Sequence, residues 1–202
     1  MIERGPAAED EMIAAFLRAE IDSSRYGDNF VRTGLAELGF DRGLIDAANL
    51  TDPVENGVRR RLLDYRGYQA RIALFAGFPL DVRWRRVRLE GPDFEAMQYI
   101  NDAVTPTPHW TDLSDGTRLV SVGARNLRQV PVDAAPRQIA AIAEALRNGV
   151  RFPQLIAAQH SDGYLILIEG HSRATAYIME GFAGEVEAFV GSSPAMSRWV
   201  FY

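Results

Sequence analysis

The chain has 202 residues, and all 22 of its basic side chains are arginine; lysine and cysteine are absent, and the three histidines are His109, His160 and His171. That excludes P-loop, Schiff-base and protein-kinase-type lysine chemistry, thiol nucleophiles, iron–sulfur clusters and cysteine zinc sites, and leaves carboxylate, hydroxyl, imidazole and guanidinium chemistry. With 47% hydrophobic and 24% charged residues and a net charge of −5, the chain reads as one globular domain or a domain with an appendage, and its charge weighs against non-specific nucleic-acid binding.

Residues 7–22 predict an amphipathic helix, with Met12, Ile13, Phe16, Leu17 and Ile21 at helical spacing and acids in the first turn. Two short helices are expected over Phe30–Leu38 and Arg42–Ala48, broken by Gly39. Asp52-Pro53 is a helix start, with aspartate as cap and proline at the first position. This helix, or pair of helices, is expected to run toward Phe75 and to end near Gly77-Phe78-Pro79. Val82–Trp84 and Val87–Leu89 have strand character, and Arg85-Arg86 between them suggests a bulge or register break. A helix over Asp93–Ile100, a proline-rich loop over 101–117 and a strand over Arg118–Val122 follow.

The last third is more regular. Val130-Pro131-Val132-Asp133 leads to a helix over Ala135–Arg147 closed by Asn148-Gly149. Leu155–Gln159 and Tyr164–Ile168 are strands joined by the Ser161-Asp162-Gly163 turn. Ser172–Glu180 is a helix, Val186–Val190 a strand, and Ser193-Pro194 opens a short final helix. Neither a repeat nor a low-complexity segment is present. The reading divides into a helical part, 1–80, and a mixed part, 81–202. The longest apolar run, Tyr164 to Ile168, is far short of a membrane span, and the first residues do not read as a signal peptide. No membrane role and a cytoplasmic location are the expectation.

The segment Ile166-Leu167-Ile168-Glu169-Gly170-His171-Ser172-Arg173 is the sharpest feature. A helix that starts directly after a buried strand presents its free N–H groups and positive dipole end to the preceding loop, which favours an anion. Gly170 permits close approach to the backbone. Ser172 either caps the helix or donates to a phosphate oxygen. Arg173 opposes the dipole, a mismatch that a bound phosphate relieves. Glu169 can act as a general base or hold Mg²⁺. The alternative is structural: a turn glycine, a capping serine, a solvated arginine and a locally packed histidine.

Glu-Gly-His-Ser-Arg after an apolar strand, opening an alanine-rich helix, resembles the phosphate-binding motif of the ParB/sulfiredoxin superfamily. Residues 130–133, the helix to Leu146 and Phe152-Pro153-Gln154-Leu155-Ile156 are similar to the upstream parts of that module. The likeness spans roughly residues 118–190, about a third of the chain, and only Gly170–Arg173 is specific. Residues 58–90 and 193–199 also resemble uncharacterised bacterial proteins that carry the module. The resemblance implies an α+β fold, a mixed-sheet module with an N-terminal helical extension. Sulfiredoxin places a cysteine between the glycine and the histidine; here none stands there. ParB partitioning proteins continue into a helix-turn-helix and a dimerisation domain; here about 30 residues follow Arg173, so that architecture is not expected.

The free serine kinases of the superfamily carry Glu-Gly-His-x-Arg, which Glu169 to Arg173 match. The resemblance implies Glu169 and His171 as catalytic residues and Gly170, His171, Ser172 and Arg173 as the phosphate cradle. Arg137 and Gln138 are implied as nucleotide-facing polar residues, and Glu169 as a Mg²⁺ ligand. The activity implied is a nucleotide-dependent kinase for a small hydroxyl compound, using ATP, ADP or CTP with Mg²⁺. A non-catalytic nucleotide- or DNA-binding module and a ParB-like nuclease are the alternatives.

Other features remain open at this level. Residues 58–88 hold nine arginines against Asp64 and Asp81, an arginine cluster that is either ion-paired and solvated or an anion or nucleic-acid surface. The three histidines form a metal site only if they converge, and none shows helical i, i+4 spacing. His109-Trp110 lies in a loop that is a surface feature or a lid. Trp199, Phe201 and Tyr202 either pack on their own core or cover the partner of a homodimer.

Overall fold

The computed structural model describes residues 1–23, 25–130, 136–181 and 185–202. Its framework is a five-stranded mixed sheet in the order β1-β2-β5-β3-β4. The strands are β1 (Ile2–Ala7), β2 (Arg83–Leu89), β3 (Leu155–Gln159), β4 (Leu165–Glu169) and β5 (Val186–Ser192). Every pairing is antiparallel except β3 with β5. The fold is therefore α+β, as the sequence suggests.

Period-two alternation explains how the sheet is covered on both faces. Ile156, Ala158, Ile166 and Ile168 face a core built with the N-terminal helices, among them Met12, Phe16, Leu62 and Phe75. Leu155, Ala157, Leu165 and Leu167 face a second core with Phe94, Met97, Tyr99, Val120 and Ala174. A small third cluster, Leu127, Ile139, Ala143 and Ala176, joins the helices outside it. Burying both faces is why the central strands read as continuous apolar runs.

The helices are α1 (Glu9–Glu20), α2 (Thr33–Glu37), α3 (Gly43–Asp46), α4 (Pro53–Leu62), α5 (Gly91–Ala96), α6 (His109–Leu113), α7 (Val120–Gln129), α8 (Arg137–Arg147) and α9 (His171–Met179). The Asp52 carboxylate accepts from the N–H groups of Val54 and Glu55, as a cap should. A wide turn over Gly27–Arg32 precedes α2, and Gly39 ends that region as expected.

Several elements differ from expectation. Helix α4 passes into a tight turn over Leu63–Arg66 and stops at Gly67, whose φ of +79° ends helical geometry well before Phe75; a separate turn covers Ala73–Phe75. Residues 1–80 contain a strand, β1, which is mostly exposed and carries Pro6. A sheet edge tolerates proline and needs no apolar alternation, so the sequence gives no strand signal there. Strand β2 is continuous through Arg85-Arg86, because it is paired along both sides; the irregularity lies in β1, between Glu3 and Gly5.

Helix α5 stops at Ala96, because Gln98 leaves to pair with β4: its N–H donates to Leu165 O at 2.8 Å and its O accepts from Leu167 N at 2.9 Å. The loop expected over 101–117 contains a turn at Asp102–Val104 and helix α6. The strand expected over Arg118–Val122 is overturned. Val120 starts α7, where Val120, Ala124 and Leu127 lie buried at helical spacing, so packing overrides the β-branched residues. Pro131–Asp133, which lead into the expected helix, and its expected start at Ala135 lie outside the described residues. Trp199 packs into its own core, 1% exposed, with its indole N–H donating to Leu74 O at 2.7 Å. Among the described residues no helix is long and apolar enough to cross a membrane.

Candidate functional site

Strand β4 ends at Glu169, Gly170 turns the chain, and α9 begins at His171. Gly170 has φ of +100°, and a Cβ there would lie 2.4 Å from Leu155 Cδ2. Both conformation and space therefore call for glycine. Ser172 does not cap the helix; Gly170 occupies that position and no side chain caps it. Helix geometry leaves the N–H groups of His171, Ser172 and Arg173 without intrahelical acceptors. With the α9 dipole they form an anion-attracting corner.

Arg173 is 6% exposed and is engaged within the fold. Its Nη1 donates to Pro153 O and, at 3.1 Å, to Gln154 O; its Nη2 donates to Glu169 Oε1 at 3.2 Å. The dipole mismatch seen in the sequence is thus met by Glu169 one turn earlier. Arg173 also clasps the segment leading into β3 to the head of α9. Glu169 Oε2 has no hydrogen-bond partner among the described residues.

His171 is 9% exposed, and its Nε2 is buried without a hydrogen bond. Its ring stacks on Trp110 at 5.0 Å and lies 6.1 Å from Tyr99, which itself stacks on Trp110 at 4.8 Å. Thr175 gives its hydroxyl proton to His171 O at 2.8 Å, so Tyr99 OH is the donor to Thr175 Oγ1 at 2.7 Å. Burial, then the positive charge of Arg66, pushes the His171 imidazole down to about 3. It is neutral at physiological pH, so it can offer a hydrogen bond but not a positive charge.

The site includes residues the sequence reading did not select. Glu20, in the last turn of α1, is 2% exposed, and neither carboxylate oxygen has a hydrogen bond. Burial first, and the neighbouring Glu169 charge second, raise its pKa to about 9. Arg66 approaches Glu20 Oε1 at 3.6 Å, its Nε buried and unbonded, with its guanidinium 4.2 Å over the Tyr26 ring. Asp102 holds α6, and so Trp110, in place: its carboxylate accepts from Trp110 N at 2.6 Å and from Thr111 N at 2.9 Å. Burial alone would raise the Asp102 pKa, but the Thr111 hydroxyl and the amides of α6 together lower it.

One signal could have found Glu20. It lies three residues after Leu17 and seven after Ile13, so it is an acid on the buried stripe of α1. Arg66 and Trp110 carry no comparable local signal; tertiary packing alone brings them to the corner.

The other expected residues lie apart. Arg137 and Gln138 are exposed at the start of α8 and make no hydrogen bond or ion pair among the described residues. His109 is exposed beside Trp110, and His160 stacks on Tyr164 at 4.0 Å. Among the described residues no three His, Asp or Glu side chains are grouped to hold a metal ion. Most of the arginine cluster over 58–88 is used internally: Arg59 and Arg60 on Glu55 and Asp10, Arg85 on Gln159, Arg86 on Glu11, and Arg88 on Glu185.

Comparison of the chain with family models, curated proteins and solved structures finds no match.

Proposed function

We propose that the chain is a nucleotide-dependent phosphotransferase acting on a small hydroxyl compound, built on a ParB/sulfiredoxin-like module. One observation carries the reading: free helix N–H groups lie by the buried Glu20 and His171 and the part-buried Arg66, each with a buried polar atom that has no hydrogen-bond partner. Buried unpaired polar atoms are costly and cluster where a ligand completes them.

The N–H groups of His171, Ser172 and Arg173, with the Ser172 hydroxyl, hold the phosphates of ATP, ADP or CTP. Phosphoryl transfer needs positioning and positive charge more than covalent chemistry, and Arg66 supplies charge without lysine. Glu169, through Oε2, accepts the proton of the attacking hydroxyl as its oxygen bonds to the terminal phosphorus and the shortened nucleotide departs. Glu169 would also hold Mg²⁺, which takes most of its ligands from phosphate and water and so needs few carboxylates. Glu20, protonated at neutral pH, is a neutral donor beside Glu169 and leaves a single negative charge at the acceptor position.

Melting temperature measured with ATP, ADP or CTP and Mg²⁺ tests the cradle. A rise is expected for the native chain and none for Ser172→Glu. An acid in the first helical turn suits the dipole, by about 0.3–1 kcal/mol, so that variant keeps its fold while repelling phosphate. Glu169→Gln should keep the rise and lose transfer by roughly 10²-fold or more. Absence of any nucleotide effect overturns the reading. Binding without transfer to any alcohol would instead mark a non-catalytic module, and cleavage of DNA a nuclease.

A further inference from the structure

Away from the α9 corner, a cavity of about 670 Å³ lies at the ends of β3 and β5 and the start of β2. Ligand pockets commonly fall in this size range and beyond the carboxyl ends of parallel strands, and β3 and β5 are the parallel pair here. Its walls include Asp81, Arg83, Gln159, His160, Ser193 and Ser197.

The arginines of β2 differ in one respect. Arg85 donates to Gln159 Oε1 at 2.6 Å, Arg86 pairs with Glu11, and Arg88 pairs with Glu185. Arg83 has no side-chain hydrogen bond or ion pair among the described residues, and it is the β2 arginine that lines the cavity. Two groups that line the cavity with it are left as donors. Gln159 has its oxygen occupied by Arg85, leaving its amide N–H groups. The His160 Nδ1 accepts from Asp162 N at 3.1 Å, so in the neutral ring the proton is on Nε2. His160 is clamped between Tyr164 at 4.0 Å and Tyr202 at 4.6 Å. The Tyr202 hydroxyl accepts from Ser161 N at 2.8 Å, which fixes the turn. Asp81 is the exception: Oδ1 accepts from Ser193 Oγ at 2.7 Å, and Oδ2 remains as an acceptor.

We propose that this cavity is a binding site for a small hydroxylated anion, its oxyanion on Arg83 with the His160 and Gln159 donors, and a hydroxyl of the ligand on Asp81. A carboxylate or a phosphate monoester meets the same donors. The rigid stack means that binding needs little rearrangement.

Glycerol 3-phosphate and inorganic phosphate are the probes, titrated calorimetrically into the Ser172→Glu protein, where the corner at α9 is blocked. In the native chain the His160 Nε2 resonance is followed in parallel by ¹H–¹⁵N NMR, which reports this cavity directly. Saturable binding of both probes is expected, tighter for glycerol 3-phosphate. Arg83→Met should weaken both about tenfold or more, as loss of a charge-assisted contact implies. Asp81→Asn should remove the advantage of glycerol 3-phosphate and spare phosphate. Binding unchanged in Arg83→Met, or no saturation and no His160 shift, overturns the site. Equal affinity for the two probes overturns the hydroxyl assignment.

Discussion

Two regions handle buried polar groups differently. Arg59 in α4 is 1% exposed and has both terminal nitrogens used, donating to Leu44 O at 2.9 Å, Asn49 O at 2.8 Å, Asn56 Oδ1 at 2.5 Å and Glu55 Oε2 at 3.1 Å; only its Nε is left without a partner. It ties α3, α4 and the loop between them. At the head of α9, Glu20 and His171 are buried and Arg66 part-buried, and both Glu20 carboxylate oxygens, Arg66 Nε and His171 Nε2 lack partners. A buried charge whose terminal groups are satisfied is architecture; buried polar groups left without partners are what the proposed ligand site rests on. The nine-arginine run shows why charge density alone misleads, since Arg59 is bound into the fold through both terminal nitrogens and Arg66, seven residues on, makes no hydrogen bond through its buried Nε.

The largest expected effect breaks the satisfied region. Arg59→Met keeps the stem and removes the guanidinium, stranding two backbone carbonyls. A loss of about 3–5 kcal/mol is expected from denaturant unfolding. Arg173→Ala should cost a similar amount, because it frees Pro153 O and Gln154 O and leaves Glu169 unpaired. Its melting temperature must therefore be compared with and without nucleotide before any binding role is read from it. A loss under about 1 kcal/mol for either would mean the clasp is not structural.

Next comes the pH response of the unsatisfied region, where two groups act with opposite sign. Glu20 rises from 4.5 to about 9, so between those values the folded chain keeps a proton that the unfolded chain releases. Its contribution is full below about pH 4.5 and is lost as pH rises toward 9. His171 falls from 6.5 to about 3. The unfolded chain binds the extra proton there, so that contribution is full above pH 6.5 and is lost as pH falls toward 3. From pH 4.5 to 6.5 the two slopes oppose each other. Glu20→Gln should thus gain on the native chain steadily from pH 6.5 to 9, and His171→Phe, which keeps the ring stack, should gain on it below 6.5. Parallel stability curves for native chain and Glu20→Gln would show that Glu20 is not held protonated.

The contrast also explains what the sequence makes legible. The strand, Gly170 turn and α9 are readable because local rules fix them: an apolar run, a glycine with no room for Cβ, and helical spacing. The two faces of the sheet follow from alternation in β3 and β4. Edge strand β1 is not readable, since an exposed edge imposes no pattern, and α7 is misread because its first residues favour a strand while its buried side is helical. In the site, Glu169 to Arg173 are contiguous and so visible. Glu20, Arg66, Asp102 and Trp110 come from four separate elements and meet only through packing. Arg173 is visible in the sequence, but its partners Pro153 and Gln154 lie about twenty residues earlier and are not.

The smallest effect is expected where charge is neither buried nor unsatisfied. Arg88 pairs with Glu185 at 2.5 Å across the sheet surface, with side chains 28% and 68% exposed. Water solvates both partners about as well as they solvate each other, and ordering two long side chains offsets much of the attraction. A double-mutant cycle with Arg88→Gln and Glu185→Gln should give a coupling of about 0–1 kcal/mol, shrinking further in 1 M salt, where screening acts within about 3 Å. A coupling near that of a buried pair would mean that short ion-pair distance, and not burial with full hydrogen bonding, separates structural from idle arginines here. The same distance argument would then apply to Arg66 and Glu20, whose 3.6 Å separation is the longer of the two although that pair is by far the more buried.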